Sequence, residues 1–182
     1  MNQLLYLLNR KEKIFKEDIN NNEQEINELL ANSKVLVIGG AGTIGQATTR
    51  QIFKRNPKTL HIVDISENNL VELVRDIRSS FNNTDIDFRT FALDCASEEF
   101  TALISHEGYY DYVLNLSALK HVRSEEDPFT IMRMIEVNIL NTIKTLKQSS
   151  KTSVKFYTFF LYSLTPASGR NYCHTLFHYY NK

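Results

Sequence analysis

A glycine-rich turn with the sequence GGAGTIG, at residues 39–45, constrains the fold of this 182-residue chain more than any other feature. It follows a short apolar run at 35–38 and precedes a helical pattern that begins near Ile44. Glycines at this spacing allow a tight turn, let a phosphate approach bare backbone N–H groups, and let the helix pack close to a strand. The stretch predicts a phosphate-binding turn made of Gly39, Gly42, Thr43, Ile44 and Gly45.

A second apolar run, at 60–63, ends in an acidic residue, Asp64. The acid lies about 20 residues beyond the turn, where a carboxylate can accept hydrogen bonds from ribose hydroxyls. Turn and acid together predict a dinucleotide cofactor, NAD or NADP. Asp64 favours the free ribose diol of NAD, whereas Ser66 and Asn68 can hydrogen-bond the 2′-phosphate of NADP. NAD is mildly preferred and NADP stays open.

Composition limits the class of protein. The length suits one domain with a real core, and the zero net charge argues against a nucleic-acid partner or an anionic membrane surface. Cys95 and Cys173 are the only cysteines, which indicates a reducing compartment, and we expect the cytoplasm. The leucine-rich start of the chain ends at Asn9, well short of the ~20 apolar residues of a membrane span.

Apolar runs and helical patterns alternate from Lys34 onward. The predicted strands are 35–38, 60–64, 87–92 and 112–116, and the predicted helices are 44–55, 67–79, 98–105 and 128–148. Asp127 is a good N-cap for the last helix, with Pro128 at its first position. This alternation predicts an α/β fold, a Rossmann-like doubly wound parallel sheet, over residues 33–150.

Both ends of the chain differ from this pattern. Residues 1–32 predict a helical N-terminal extension, broken near 20–22, which either covers one edge of the sheet or serves as a flap or oligomer contact. Residues 151–182 contain no Asp or Glu. They predict a fifth strand near 155–161 followed by an atypical tail without a helical period.

Further polar and small residues follow the predicted strands, where ligands bind in an open α/β sheet. Asp94 can accept from the adenine amino group, with the backbone at Cys95 beside the ring, or it can cap the next helix. Ser117 and Ala118 are small enough for the backbone to approach a cofactor. Asn138, inside the long helix, can bridge backbone groups at the site or lie at the surface.

Two groups of residues remain open to more than one interpretation. Lys120 and His121 lie beyond the fourth strand, where they can bind the diphosphate and a sugar hydroxyl of a substrate or can simply be solvated. Cys173, His174 and His178 are of metal-ligand type, but they lack a fourth ligand and a second pair. We therefore expect no metal site.

Five stretches together resemble one protein family: GGAGTIG, VDISENNLVELVRDIR, Asp94, NLSALKHVRSEEDPF and EVNILNT. They resemble the extended short-chain dehydrogenase/reductases, within the bacterial polysaccharide-biosynthesis group of nucleotide-sugar dehydratases and epimerases, such as UDP-N-acetylglucosamine 4,6-dehydratases. The resemblance covers residues 33–148. It implies an NAD(P) cofactor, a UDP-sugar substrate, and a mechanism in which hydride leaves sugar carbon 4, water is lost across carbons 5 and 6, and hydride returns to carbon 6.

The sequence departs from that family where catalysis begins. Neither Tyr-x-x-x-Lys nor its Met variant is present, and the nearest approach is His178 followed by Lys182. The C-terminal substrate domain of the family is also absent, so the resemblance implies a truncated, catalytically incomplete chain with no assigned catalytic residue. Whether the chain is an enzyme stays open, with a nucleotide-sugar epimerase-like enzyme or a non-enzymatic dinucleotide-binding module as alternatives. Homo-oligomerisation also stays open.

Overall fold

The computed structural model describes residues 16–81, 85–119, 127–158, 161–164, 172–175 and 180–181, and side chains as far as residue 148. Its helices are α1 (Lys16–Leu30), α2 (Thr43–Phe53), α3 (Glu67–Ser80), α4 (Glu98–Glu107), α5 (Pro128–Ile135) and α6 (Asn141–Thr152), with a π-helical segment, Glu136–Leu140, joining the last two. Its strands are β1 (Lys34–Ile38), β2 (Thr59–Asp64), β3 (Asp87–Ala92), β4 (Tyr110–Asn115), β5 (Ser153–Thr158), β6 (Leu161–Leu164), β7 (Tyr172–Thr175) and β8 (Tyr180–Asn181).

The main sheet has the strand order β3-β2-β1-β4-β5-β8. The first five of these strands are parallel, and β8 pairs antiparallel with β5, while β6 and β7 form a separate antiparallel pair. The order reverses between β1 and β4, which is the point where a doubly wound sheet opens a crevice at the carboxyl ends of its strands. The predicted Rossmann-like α/β fold is confirmed.

Each face of the sheet has its own hydrophobic core. Val35 and Val37 of β1 pack with α2 and α3 on one face, whereas Leu36 and Ile38 pack with α4 and α6 on the other. Side chains alternate between the faces of a strand, so a strand that is buried on both faces must be apolar throughout. This requirement explains the continuous apolar runs of β1 and β2.

Short polar side chains fix where the helices begin. Ser66 accepts a hydrogen bond from the Asn69 N–H at 3.4 Å at the start of α3, and Ser97 caps α4 in the same way. Asp127 accepts from the Thr130 N–H at 2.8 Å, with Pro128 in the first turn of α5. The predicted start of this long helix is confirmed.

The N-terminal extension differs from the prediction. Helix α1 runs without a break through residues 20–22, so the predicted break is wrong. The Asn22 side chain donates to the Asp18 carbonyl at 2.7 Å, and asparagine costs a helix only about 0.5–0.7 kcal/mol relative to alanine. Apolar side chains of α1 line a groove together with Ile52 of α2 and Tyr112 of β4.

Other predicted bounds agree with the structure to within about four residues, and a fifth strand is present at Ser153–Thr158. The sequence pattern did not predict the π-helical segment. Residues 1–15 lie outside the described residues, and the division into 1–32, 33–150 and 151–182 stays a prediction. Within the described part of the chain, no helix is long and apolar enough to cross a membrane.

A buried histidine lies near the amino ends of the strands, away from the crevice. The His61 side chain in β2 is fully buried, with Nδ1 2.8 Å from the Tyr110 hydroxyl and Nε2 3.6 Å from a carboxylate oxygen of Asp87. Burial, followed by the charge of Arg89, lowers the pKa of His61. Folded protein therefore holds this imidazole neutral at a pH where the unfolded chain protonates it.

This difference predicts that His61 makes the folded protein less stable in acid. As pH falls below about 6.5, the unfolded chain gains a proton at His61 that the folded protein does not bind, so the free energy of unfolding decreases. Replacing His61 with Gln removes this contribution. In urea titrations, the free energy of unfolding of wild type should therefore fall relative to that of the variant between pH 8 and pH 5. His106→Gln, at an exposed position on α4, is the control. A difference in unfolding free energy between wild type and variant that stays constant with pH contradicts the prediction.

Candidate functional site

A cleft of about 360 Å³ opens at the carboxyl ends of β1 to β4. Its walls come from the turn after β1, the segments after β2, β3 and β4, and the long helix α5–α6. The residues that line it are Ile38, Gly39, Gly42, Val63, Asp64, Ile65, Ser66, Asn69, Leu93, Asp94, Cys95, Leu116, Ser117, Ala118, Leu119, Arg133, Val137 and Asn141.

Close packing requires most of the glycines in the turn. Gly39 has a positive φ of 73°, and a Cβ there would lie 2.6 Å from the backbone nitrogen of Ser117. A Cβ on Gly40 would lie 2.5 Å from a methyl group of Ile62, and one on Gly45 would collide with the Gly39 carbonyl. Gly39 and Gly45 therefore let the turn and the first turn of α2 pack directly on neighbouring backbone, and Gly40 leaves room for the Ile62 side chain.

Gly42 is different, because protein packing does not require it. The nearest atom to a Cβ built there is the Gly39 carbonyl oxygen, at 3.6 Å, and the position opens on the cleft. Gly42 is also the N-cap of α2, and no side chain caps this helix. The first N–H groups of a helix have no partner within it and carry partial positive charge. An anion can therefore approach them closely at Gly42.

The Asp64 carboxylate joins the turn to the end of β2. One oxygen accepts from the Ala41 N–H and the other from the Ser66 N–H, both at 3.0 Å. The same carboxylate lines the cleft, so its remaining lone pairs can accept hydrogen bonds from a ligand. Of the two side chains predicted near it, Ser66 lines the cleft, whereas Asn68 is exposed on α3 and its neighbour Asn69 lines the cleft instead.

After β3, Asp94 and Cys95 form the next part of the wall. Asp94 accepts from the Ala96 N–H at 2.9 Å, which holds the segment that leads to α4. The Cys95 sulfur is buried 4.0 Å from the Ser117 hydroxyl, and burial raises the pKa of its thiol. Cys95 is therefore a neutral packing group and not a thiolate nucleophile.

A buried amide shapes the turn after β4. The Asn115 oxygen accepts from the N–H and the hydroxyl of Ser117, at 3.1 and 2.6 Å, and its NH₂ group donates to the Thr142 hydroxyl at 3.3 Å. This arrangement fixes Ser117 against Gly39, with the small Ala118 next to it. The cleft floor is thus formed by backbone and small side chains, which leaves room for a ligand.

The π-helical segment places a second amide behind the cleft. Asn138 accepts from the Leu119 N–H at 2.8 Å and donates to the Leu119 carbonyl at 3.0 Å. Asn138 thus bridges backbone groups beside the cleft, and its role in the site stays a prediction. Asn138 itself does not line the cleft. It holds in place the backbone that does.

The structure brings eight of the predicted residues together around the cleft: Gly39, Gly42, Asp64, Ser66, Asp94, Cys95, Ser117 and Ala118. Thr43 and Ile44 are exposed at the start of α2, and Gly45 is buried beneath the turn. Lys120 and His121 lie outside the described residues. Among the residues that the structure does describe, no group of His, Cys, Asp and Glu is arranged to hold a metal ion.

The sequence analysis missed three wall residues on α5–α6, namely Arg133, Val137 and Asn141. They are four residues apart, so they lie on one face of the helix. This spacing was the available signal, together with the position of the helix directly after β4.

Comparisons with known proteins agree with this geometry. Residues 35–161 match the model of a family described as polysaccharide biosynthesis protein. The chain belongs to this family. The predicted resemblance to the nucleotide-sugar dehydratases and epimerases of the extended short-chain dehydrogenase/reductases is confirmed.

The chain spans about a third of the length of the two curated relatives that it matches. The chain is 34% identical over 125 residues to a dTDP-glucose 4,6-dehydratase of Salmonella typhimurium, which covers 65% of the chain and 31% of that protein. It is 30% identical over 137 residues to an uncharacterised membrane protein of Methanocaldococcus jannaschii, covering 74% of the chain and 38% of the relative.

A similar solved structure is a UDP-glucose-4-epimerase from Stenotrophomonas maltophila, with bound NAD and formylated UDP-arabinopyranose. The TM-score is 0.54 and the identity 27%, over 68% of this chain and 36% of the epimerase. About two thirds of this chain thus shares its fold with part of an NAD-bound structure.

The glycine geometry predicts that two substitutions in the turn differ in their effect on stability. Gly45→Ala forces a Cβ into backbone, and we expect a loss of roughly 3 kcal/mol in the free energy of unfolding, the upper range for overpacking. Gly42→Ala meets no such contact and should lose less than about 1 kcal/mol, the cost of a poor N-cap. Urea unfolding of both variants measures the difference. Equal losses of unfolding free energy in the two variants would contradict the conclusion that packing requires Gly45 but not Gly42.

Proposed function

We propose that this chain is the NAD(P)-binding part of a nucleotide-sugar 4,6-dehydratase-like protein of polysaccharide biosynthesis, catalytically incomplete as it stands. The observation that carries the proposal is Gly42, which opens an uncapped helix start onto the cleft although packing does not require a glycine there. A side chain at this position would fill the space that a pyrophosphate needs. The NAD-bound epimerase with the same fold supports the proposal.

The cleft residues suit the parts of a dinucleotide in turn. The N–H groups that begin α2, at Thr43, Ile44 and Gly45, would face the pyrophosphate. Asp64 would accept from the adenosine ribose hydroxyls, and Ser66 would lie beside them.

The rest of the cofactor would lie along the ends of β3 and β4. Asp94 and the backbone at Cys95 would border the adenine, and Ser117 and Ala118 would admit the nicotinamide half. Asn138 would act indirectly, by holding the Leu119 backbone.

NAD fits this cleft better than NADP. A 2′-phosphate would place two negative charges close to the Asp64 carboxylate, and NADP sites in this type of fold supply an arginine to balance them. Among the described cleft residues the only cation is Arg133, which is on the opposite wall, on α5. Ser66 and Asn69 offer hydrogen bonds but no charge.

For the substrate we propose a nucleoside diphosphate sugar, with UDP-sugars as the first choice, because relatives of this chain are named for dTDP-glucose and UDP-glucose. When bound, a nicotinamide cofactor accepts and returns a hydride at a sugar carbon. The roles of Lys120 and His121 in binding that sugar stay predictions. A base that deprotonates the sugar hydroxyl is missing from the sequence, so we assign no catalytic residue.

Two alternatives to this proposal are an epimerase-like enzyme and a dinucleotide-binding module without enzymatic activity. Incubation of the purified chain with NAD⁺ and UDP-N-acetylglucosamine, UDP-glucose or dTDP-glucose separates them, because only an enzyme converts the sugar. A dehydratase yields a 4-keto-6-deoxy sugar, whereas an epimerase yields an isomer of unchanged mass.

For the location of the protein we propose the cytoplasm. Cys95 is a buried free thiol, which suits the cytoplasm.

Helix α5–α6 exposes a stripe of large apolar side chains that would be buried by a second copy of the chain. The stripe consists of Phe129, Met132, Ile135, Ile139, Leu140 and Ile143.

Calorimetry provides the main test of the proposed function. We expect the purified chain to bind NAD⁺ saturably, and Gly42→Val, which fills the phosphate site, to lose binding while it unfolds at nearly the wild-type temperature. Asp64→Ala should weaken NAD⁺ more than NADP⁺, because only NAD⁺ loses a carboxylate partner for a free ribose diol. A folded wild-type chain that does not bind either dinucleotide contradicts the proposal.

The apolar stripe predicts a homodimer. Met132 is 66% exposed, so a charge introduced there would be desolvated in a dimer but solvated in a monomer. Sedimentation velocity should show a dimer for wild type and a monomer for Met132→Glu, with Val71→Glu, at an exposed position on α3, as the control. A wild-type monomer at all concentrations would rule out this interface.

A further inference from the structure

The helix wall of the cleft contains a cation whose role the proposed function leaves open. Arg133 lies on α5 at the cleft and is the single cationic side chain among the described residues that line it. Val137 and Asn141 continue the same helix face along the cleft. Arg133 thus occupies the outer end of a row of three wall residues.

The lining of the cleft indicates which part of it Arg133 faces. Arg133 lines the same cleft as Asp94. Three turns further along the helix, Lys144 donates to the Ala96 carbonyl at 2.6 Å, so the helix is joined to the segment that follows Asp94. The hydrogen bond to Glu136 is the main reason that the pKa of Arg133 is raised, and the charge of Asp94 adds to it. Arg133 therefore lies at the end of the cleft next to Asp94.

An ion pair with Glu136 orients the guanidinium of Arg133 but leaves part of it available to a ligand. One of its terminal nitrogens, Nη1, donates to a Glu136 oxygen at 2.8 Å, and the side chain is 51% exposed. A guanidinium has five N–H donors and two planar faces, so a single hydrogen bond leaves a face available. Glu136 therefore restricts the orientation of Arg133 without occupying it.

We propose that Arg133 forms the helix-side wall of the adenine subsite, where its planar guanidinium covers one face of the base. The inference rests on the proposed dinucleotide function. A guanidinium stacks favourably on an aromatic face, and bases stack on Arg in the same way. Asp94 would border the edge of the ring that carries the amino group, while Arg133 covers its face. Arg133 is thus a binding residue for the adenosine half and takes no part in proton or hydride transfer.

Binding measurements on the full chain test this role. We expect Arg133→Ala to weaken NAD⁺ roughly five- to tenfold in calorimetry, as is typical for loss of a partly desolvated cation–π contact. Arg133→Lys should remain closer to the alanine variant than to wild type, because an ammonium keeps the charge but lacks the planar face. Arg75→Ala is the matched control, since Arg75 is an exposed residue of α3 that does not line the cleft and also pairs with a glutamate three residues away, Glu72.

A second ligand separates stacking from edge recognition. Nicotinamide hypoxanthine dinucleotide has an oxygen in place of the adenine amino group but keeps the aromatic face. Arg133→Ala should weaken this analogue as much as it weakens NAD⁺, whereas Asp94→Asn should weaken only NAD⁺. Equal affinity of wild type and Arg133→Ala for NAD⁺ overturns the inference, as does a Lys variant that binds like wild type. A wild-type chain that binds no dinucleotide overturns the proposed function and this inference together.

Discussion

Direct backbone contact at the first strand-to-helix turn is the constraint on which the rest of this structure depends. Gly39 lies against the backbone of Ser117, and Gly45 lies against Gly39, so α2 starts almost in contact with two strand ends. The Asp64 carboxylate then bonds to the N–H of Ala41 in this turn. Three adjacent strands are thereby fixed at one edge of the sheet, and the backbone at Gly39 and Ser117 borders the cleft directly.

Much of the fold could be predicted because the decisive signals are local. Fully buried strands such as β1 must be apolar along their length, and Asp127 with Pro128 defines a helix start within a few residues. Helix α1 was harder, because residues 20–22 are poor helix formers and the compensating Asn22 hydrogen bond depends on helix geometry itself. Local propensity cannot anticipate a bond that exists only once the helix has formed.

The candidate site could be predicted in part: the residues at the strand ends were predicted and those on the helix wall were not, for a physical reason. Strand ends are fixed by sequence order, so Asp64, Asp94 and Ser117 could be assigned to one edge of the sheet. The helix wall was not predicted, because nothing local in the sequence shows that the face with Arg133, Val137 and Asn141 turns toward the cleft and not toward solvent. Asn138 was expected to bridge backbone groups, but its partner, Leu119, becomes known only from tertiary packing.

Strand β3 has a consequence for the behaviour of the protein in concentrated solution. It forms one edge of the main sheet, where unpaired N–H and C=O groups can template the addition of a strand from another molecule. Asp87 and Arg89 are exposed residues of this edge strand, and Arg89 is held in ion pairs with Asp87 and Glu107. A strand arriving from another chain would have to desolvate these charges. The ion-pair network therefore protects the sheet against edge-to-edge aggregation as well as contributing to the stability of the monomer.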